Sequence, residues 1–218
     1  MQNKSLDLFK KGNYKEIDTS FVTEGIDVLQ SVSDVQVKYG KTDTDTFLNE
    51  LRDCIAGQML GFTHVNTEKH GFDCRKTETG EDIFLEVKSA SFSASEWGAT
   101  FNDTTLEKAE AFKDKKTFLA LSVWKEASQL LFICYGQNEA IGEFLEEKVK
   151  WFKAGHTVRS TQSISLSTLV FTYGFKILAV NKTKDQIYQL LISKNRRLKK
   201  LNKDEQILDL HEFEEISR

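Results

Sequence analysis

A predicted β-hairpin constrains the fold of this chain more than any other feature of its sequence. Two strand-like stretches, 72–76 and 82–89, flank the dipeptide Thr79-Gly80, which suits a tight turn. A turn centred on that dipeptide pairs residues whose numbers add up to 159, so Asp73 lies opposite Glu86. Directly opposite side chains share a face, with Cβ atoms roughly 5 Å apart. The register therefore predicts two neighbouring carboxylates on one face of a sheet.

The second strand of this hairpin carries two charges in an otherwise apolar segment, Ile83 to Lys88. Because strand side chains alternate between faces, Glu86 and Lys88 point to one face and Val87 to the other. Unpaired charge on a core strand is costly, so we expect a metal ion or a charged substrate there. The alternative is that Glu86 and Lys88 form a surface ion pair on an edge strand.

The facing carboxylates also indicate the kind of metal. Two carboxylates so close repel each other unless a cation lies between them. A ligand set made of oxygen atoms, with room for water, suits Mg²⁺ better than Zn²⁺, and Mn²⁺ is the expected substitute. A shift of one residue in the register would separate Asp73 and Glu86 onto opposite faces.

The order of predicted elements indicates an α/β (α+β) fold with a mixed central β-sheet flanked by helices. We divide the chain into an N-terminal segment (1–43) packed on the core, a core (44–136), and a C-terminal part of the same domain (137–218) for recognition or dimerisation. Outside the hairpin, apolar periodicity predicts helices over 44–60, 106–115, 138–152 and 184–201, strands over 117–124 and 129–135, and two strands within 163–180 broken near Gly174.

Composition excludes several classes of protein. The 218 residues carry a net charge of −3, so the protein is not basic overall. Three widely spaced cysteines and no C-x-x-C pattern argue against disulfides and zinc, and favour the cytoplasm. No apolar run approaches the roughly 20 residues of a membrane helix. Glycine-rich nucleotide signatures are missing, so we expect no organic cofactor.

The residues around the hairpin resemble the PD-(D/E)xK nuclease superfamily, which includes type II restriction endonucleases, Holliday-junction resolvases and repair nucleases. The resemblance covers roughly residues 44–135 and departs at Phe72, where the pattern has a proline that is often missing in the family. It is carried by Gly71-Phe72-Asp73, Glu86-Val87-Lys88-Ser89, the helical Leu106-Glu107-Lys108-Ala109 and the strand Phe118-Leu119-Ala120-Leu121-Ser122.

This resemblance implies a restriction-endonuclease-like core and assigns roles to its residues. Asp73 and Glu86 are expected to hold Mg²⁺ with the backbone carbonyl of Val87, and Lys88 to orient or activate the attacking water. Some members add an acid from the preceding helix. Glu50 is the candidate for it, and an exposed helix acid is the alternative reading of that residue.

Two segments are candidates for contact with nucleic acid. Six of the ten residues in 194–203 are cationic and could reach phosphates, although a solvated helix has the same composition. Ser89 and Ser91 begin a serine-rich stretch just after the proposed metal ligands. The basic candidates are Lys194, Arg196, Arg197, Lys199 and Lys200.

Together these features predict a Mg²⁺-dependent DNA endonuclease, in the first place a sequence-specific type II restriction-type enzyme. Cutting both strands needs two active sites, so we expect a homodimer. The alternatives are a structure-directed or repair nuclease with the same core, an RNA-cutting defence or toxin nuclease, and a non-catalytic nucleic-acid-binding module that keeps only the fold.

Overall fold

The computed structural model describes residues 19–39, 46–65, 72–102, 104–155 and 161–216. About half of the predicted N-terminal segment (1–18 and 40–43) and Gly71 of the hairpin lie outside these ranges. Every helix within these ranges is too short or too polar to span a lipid bilayer.

The described residues begin with two helices and four consecutive strands, and helices and strands are mixed after that. The helices are α1 (Thr19–Tyr39), α2 (Thr46–Met59), α3 (Leu106–Phe112), α4 (Glu139–Lys153), α5 (Leu166–Phe171), α6 (Lys184–Lys194), α7 (Lys203–Gln206) and α8 (Leu210–Ile216), with a 3-10 helix over Arg196–Lys200. The strands are β1 (Thr63–His64), β2 (Cys74–Glu78), β3 (Glu81–Ser91), β4 (Gly98–Phe101), β5 (Thr117–Lys125), β6 (Gln129–Gln137), β7 (Gln162–Ser165), β8 (Lys176–Ala179) and β9 (Ile207–Leu208).

A seven-stranded mixed sheet forms the centre of the molecule, in the order β1-β2-β3-β5-β6-β8-β9. Strands β3 and β5 pair in parallel, as do β8 and β9, and the other neighbours are antiparallel. Strands β4 and β7 form a separate two-stranded sheet. The predicted fold class, a mixed sheet flanked by helices, is confirmed.

Two apolar cores lie on the two faces of this sheet. Alternation along β3 sends Phe84 into the core on one face and Leu85 and Val87 into the core on the other. Helix α3 and the β4–β7 sheet cover the first face, and helices α1 and α2 cover the second. Strand β3, which carries Glu86 and Lys88, is therefore held in place by both cores.

The hairpin has the predicted register. The ladder pairs Cys74 with Leu85 and Thr77 with Asp82, and both pairs add up to 159. At the turn, Thr79 has φ 51° and Gly80 has φ 82°, as the two central residues of a type I′ turn require. The ladder begins at Cys74, two residues later than predicted, and Asp73 directly precedes it.

Two predicted elements were wrong in detail. The segment 163–180 contains helix α5 between its two strands, because the Ser165 side chain accepts the Thr168 N–H and caps the helix. The basic helix predicted over 184–201 ends at Lys194. Asn195 then becomes extended, and its side chain caps the 3-10 helix by accepting the Arg197 N–H.

Candidate active site

The candidate site lies where β2 ends and one edge of β3 becomes free. The β2–β3 ladder stops at the Cys74–Leu85 pair, and beyond it β5 is the one ladder partner of β3 among the described residues. Asp73 Oδ2 accepts a 2.7 Å hydrogen bond from the Val87 N–H. Because the N–H and C=O of one strand residue point to the same side, the Val87 carbonyl faces this edge as well.

Glu86 is the most deeply buried acid of the site, and its carboxylate is paired. It is 2% exposed. Its Oε1 accepts hydrogen bonds from Lys88 Nζ at 2.6 Å and from Lys108 Nζ at 3.1 Å. Lys108 comes from α3, which packs over this face of the sheet. The sequence analysis assigned no role to Lys108, because an isolated lysine in a short amphipathic helix carries no signal of its own.

The charges of this cluster set the ionisation of its members. Burial opposes the charge on Glu86, but Lys88 and Lys108 outweigh it and keep the pKa of Glu86 below its ordinary value. Burial likewise disfavours the Lys88 ammonium, but Glu86 and Asp73 raise the pKa of Lys88 above its ordinary value. Glu86 is therefore ionised and Lys88 protonated at neutral pH.

Asp73 is the member whose charge is poorly compensated. Burial, and then the negative charge of Glu86, raise its pKa from 3.8 to about 6. Lys88 and the Val87 N–H only partly offset this rise. Because Asp73 and Glu86 repel each other in this way, a cation bound between them would lower the free energy of the site.

The helix acid nearest to this cluster is Asp53, and not Glu50. Burial and the charge of Asp73 raise the pKa of Asp53 well above its ordinary value, while Lys88 lowers it. Glu50 is exposed and acts electrostatically on His64 instead. Both acids lie on α2, three residues apart, and the structure brings Asp53, not the predicted Glu50, to the cluster.

Ser89 was predicted to contact nucleic acid, but its hydroxyl bonds within the protein. It lies 3.2 Å from Asp53 Oδ1 and 2.9 Å from Ser122 Oγ. Ser91, two residues further along, is exposed and hydrogen-bonds Ser93 Oγ at 2.8 Å. Ser91 therefore remains accessible to a ligand, whereas Ser89 connects α2 to β5.

The donor atoms at the free edge of β3 fit a hard divalent cation. The groups available are the carboxylates of Asp73 and Glu86 and the Val87 carbonyl, all of them oxygen ligands of the kind that Mg²⁺ prefers. Within the described part of the chain, Asp73 Oδ1 and Glu86 Oε2 accept no hydrogen bond. No three His, Cys, Asp or Glu side chains in these ranges could hold a metal by themselves, so carbonyl or water ligands have to complete the shell.

The basic segment lies against the serine-rich loop that follows β3. Lys194 Nζ donates to the Ser93 carbonyl at 3.4 Å and lies 5.6 Å from the centre of the Phe92 ring. The completely buried Leu198 anchors the 3-10 helix, while the cationic side chains around it are exposed. A groove of about 490 Å³ separates segment and loop, and its lining is Ser95, Glu96, Trp97, Leu166, Lys194, Asn195, Arg196 and Arg197.

The exposed cations of this segment are Arg196, Arg197, Lys199 and Lys200, and none of them has an ion-pair partner within the ranges that the structure covers. Two stretches that the sequence analysis treated separately therefore form one surface.

Comparisons with known proteins add no family to this picture. The sequence matches no protein-family model, and no curated protein is significantly similar to it.

Proposed function

We propose that this protein is a Mg²⁺-dependent endonuclease that hydrolyses phosphodiester bonds in DNA. The observation that carries the proposal is a strongly buried carboxylate, Glu86, which shares one β-hairpin with the poorly compensated acid Asp73 and the ammonium of Lys88. A structural ion pair needs neither the second acid nor the free strand edge beside it. The resemblance of these residues to the PD-(D/E)xK pattern supports the same reaction.

In this proposal the metal is held by Asp73, Glu86 and the Val87 carbonyl. When bound, Mg²⁺ lowers the pKa of water and offsets negative charge on the phosphate. The Val87 N–H keeps the Asp73 carboxylate in place, so that side chain is oriented before a ligand arrives.

The two lysines supply positive charge where a phosphate is expected to bind. Lys88 is protonated at neutral pH, so it acts by holding and polarising water or a phosphate oxygen, and not as a general base. Lys108 reaches the same Glu86 oxygen from α3. Each of the two lysine side chains is about one-quarter exposed, so both are expected to remain open to substrate.

The basic surface of Lys194, Arg196, Arg197, Lys199 and Lys200, together with Ser91, is proposed to bind the DNA backbone. The net charge of −3 confines favourable binding to this surface, so affinity should fall steeply with salt. We further propose a sequence-specific, type II restriction-type enzyme that acts as a homodimer, because double-strand cleavage requires two sites.

Digestion of supercoiled plasmid tests the proposal. Wild-type protein should cut with Mg²⁺ and stop with EDTA, and discrete fragments would identify sequence specificity. Glu86→Gln and Lys88→Ala should each lose at least about 100-fold in rate, the scale on which electrostatic groups act in active sites. A second E-x-K triplet, Glu146-Glu147-Lys148, lies on α4. Lys148→Ala removes the lysine of that triplet and is the matched control, so this variant should cut plasmid at the wild-type rate.

The outcomes separate the alternatives. A smear of fragments would indicate a general nuclease, and preference for branched DNA a structure-directed one. Cleavage of RNA alone would make the protein a ribonuclease. DNA binding without cleavage would leave a non-catalytic module, and full activity of both site variants would refute the assigned residues.

A further inference from the structure

A continuous chain of hydrogen bonds leads from the candidate site into the core of the sheet. Trp124 Nε1 donates to Ser122 Oγ at 2.9 Å, and Ser122 Oγ lies 2.9 Å from Ser89 Oγ. Ser89 Oγ donates to Asp53 Oδ1 at 3.2 Å. Four side chains on three elements, α2, β3 and β5, are thereby connected.

The parallel register of the sheet places the two serines together, because Ser89 and Ser122 are direct partners in the β3–β5 ladder. Ser122 is completely buried, and Trp124 is 1% exposed. A buried hydroxyl is costly unless it is hydrogen-bonded. The need of the Trp124 indole for a hydrogen-bond acceptor explains the presence of Ser122. It does not explain Ser89, the second serine, which extends the chain to Asp53.

The direction of this chain is set by its two ends. An indole N–H can only donate, and Asp53 Oδ1 accepts from the Ser89 hydroxyl. Ser89 donates its one hydrogen to Asp53. The Ser122 hydrogen then has two acceptors within reach, Ser89 Oγ at 2.9 Å and the Lys88 carbonyl at 3.3 Å, and the shorter contact favours Ser89. When the Ser122 hydrogen is directed to Ser89, all three donors point toward Asp53, and such aligned bonds strengthen one another.

We propose that Ser89, Ser122 and Trp124 form a positioning relay that holds the Asp53 carboxylate toward Asp73 and Lys88 and thereby supports cation binding at the site. This inference rests on the proposed function. The relay residues touch neither phosphate nor metal in this proposal and act through Asp53. Ser89 accordingly has a positioning role and no contact with DNA.

Nuclear magnetic resonance of the tryptophan indole groups tests the relay without metal. The three tryptophans give three indole N–H signals, and Trp97, which donates to the Phe92 carbonyl at 3.3 Å, is an internal reference. In EDTA, Ser89→Ala should shift the Trp124 signal and leave the Trp97 signal in place. Ser89→Thr keeps the hydroxyl and should restore the wild-type position. Ser163→Ala, which removes an exposed hydroxyl on β7, is the control.

Calorimetric titration with Mg²⁺ then tests the link to the site. Ser89→Ala should bind Mg²⁺ about tenfold more weakly than wild type, in the range known for groups that orient metal ligands, and Ser89→Thr should bind normally. Mg²⁺ should also move the Trp124 signal in wild type and not in Ser89→Ala.

An unchanged Trp124 signal in metal-free Ser89→Ala would overturn the relay itself. Equal Mg²⁺ affinity in Ser89→Ala and wild type would overturn its support of the site. If wild type binds no Mg²⁺ although Ser89→Ala shifts the Trp124 signal, the proposed function fails. The relay then loses its part in cation binding, and the hydrogen-bonded network remains only as a structural feature.

Discussion

Replacing Asp73 with asparagine should stabilise the metal-free protein at pH 8 while it removes cleavage. The Asp73 pKa lies at about 6 in the folded chain, against 3.8 for an ordinary aspartate. The folded state therefore holds its proton up to higher pH than the unfolded state does. Below the unfolded-state pKa, Asp73 is protonated in both states and does not change the free energy of unfolding. That free energy falls as pH rises between the two pKa values, and the loss is complete above about pH 6.

The size of this effect follows from the two pKa values. Each tenfold change in an ionisation constant is worth about 1.4 kcal/mol, so ionised Asp73 costs the fold about 3 kcal/mol. Asparagine keeps an oxygen for the Val87 N–H and removes the charge. For a domain of this size the gain corresponds to a rise of roughly 6–12 °C in Tm at pH 8, and the advantage should disappear near pH 4.

Denaturant unfolding in EDTA at pH 4, 6 and 8 measures this difference. Glu81→Gln, at an exposed position on the same hairpin, should change stability little at any pH. Mg²⁺ at pH 8 should stabilise wild type and not Asp73→Asn, because only the wild type retains both carboxylate ligands, Asp73 and Glu86. If Asp73→Asn were no more stable than wild type at pH 8, or if the difference did not vary with pH, the view of Asp73 as a poorly compensated acid would be refuted.

Three further variants test packing and binding. Glu86→Leu should lower the free energy of unfolding by about 3 kcal/mol in denaturant titration, because two ammonium groups lose their partner; unchanged stability would contradict this. Arg197→Ala should weaken DNA binding in fluorescence anisotropy and reduce the slope of log affinity against log salt by about one, and an unchanged slope would exclude a phosphate contact. Gly57→Ala should lower Tm, at a cost of about 1–3 kcal/mol, because the added Cβ would overlap Cys74 Sγ between α2 and the hairpin.

The hairpin could be predicted because its determinants are local. Turn residues and strand alternation lie within 18 residues of sequence, and together they allow one register that buries the apolar side chains. The helix and strand boundaries around Ser165 and Asn195 could not be predicted. The side chains of these two residues cap helices at positions where the apolar pattern indicates no helix boundary.

By itself, the sequence determined that Asp73, Glu86 and Lys88 share one hairpin and that the sheet is mixed. Only the tertiary structure decided that Asp53 and not Glu50 approaches them, since both acids lie on one helix and its placement over the sheet selects between them. It also brought Lys108 to Glu86 and joined Ser89 to Ser122. These contacts connect residues far apart in sequence, and such pairs meet only where the packing of both cores sets the position of each helix and strand.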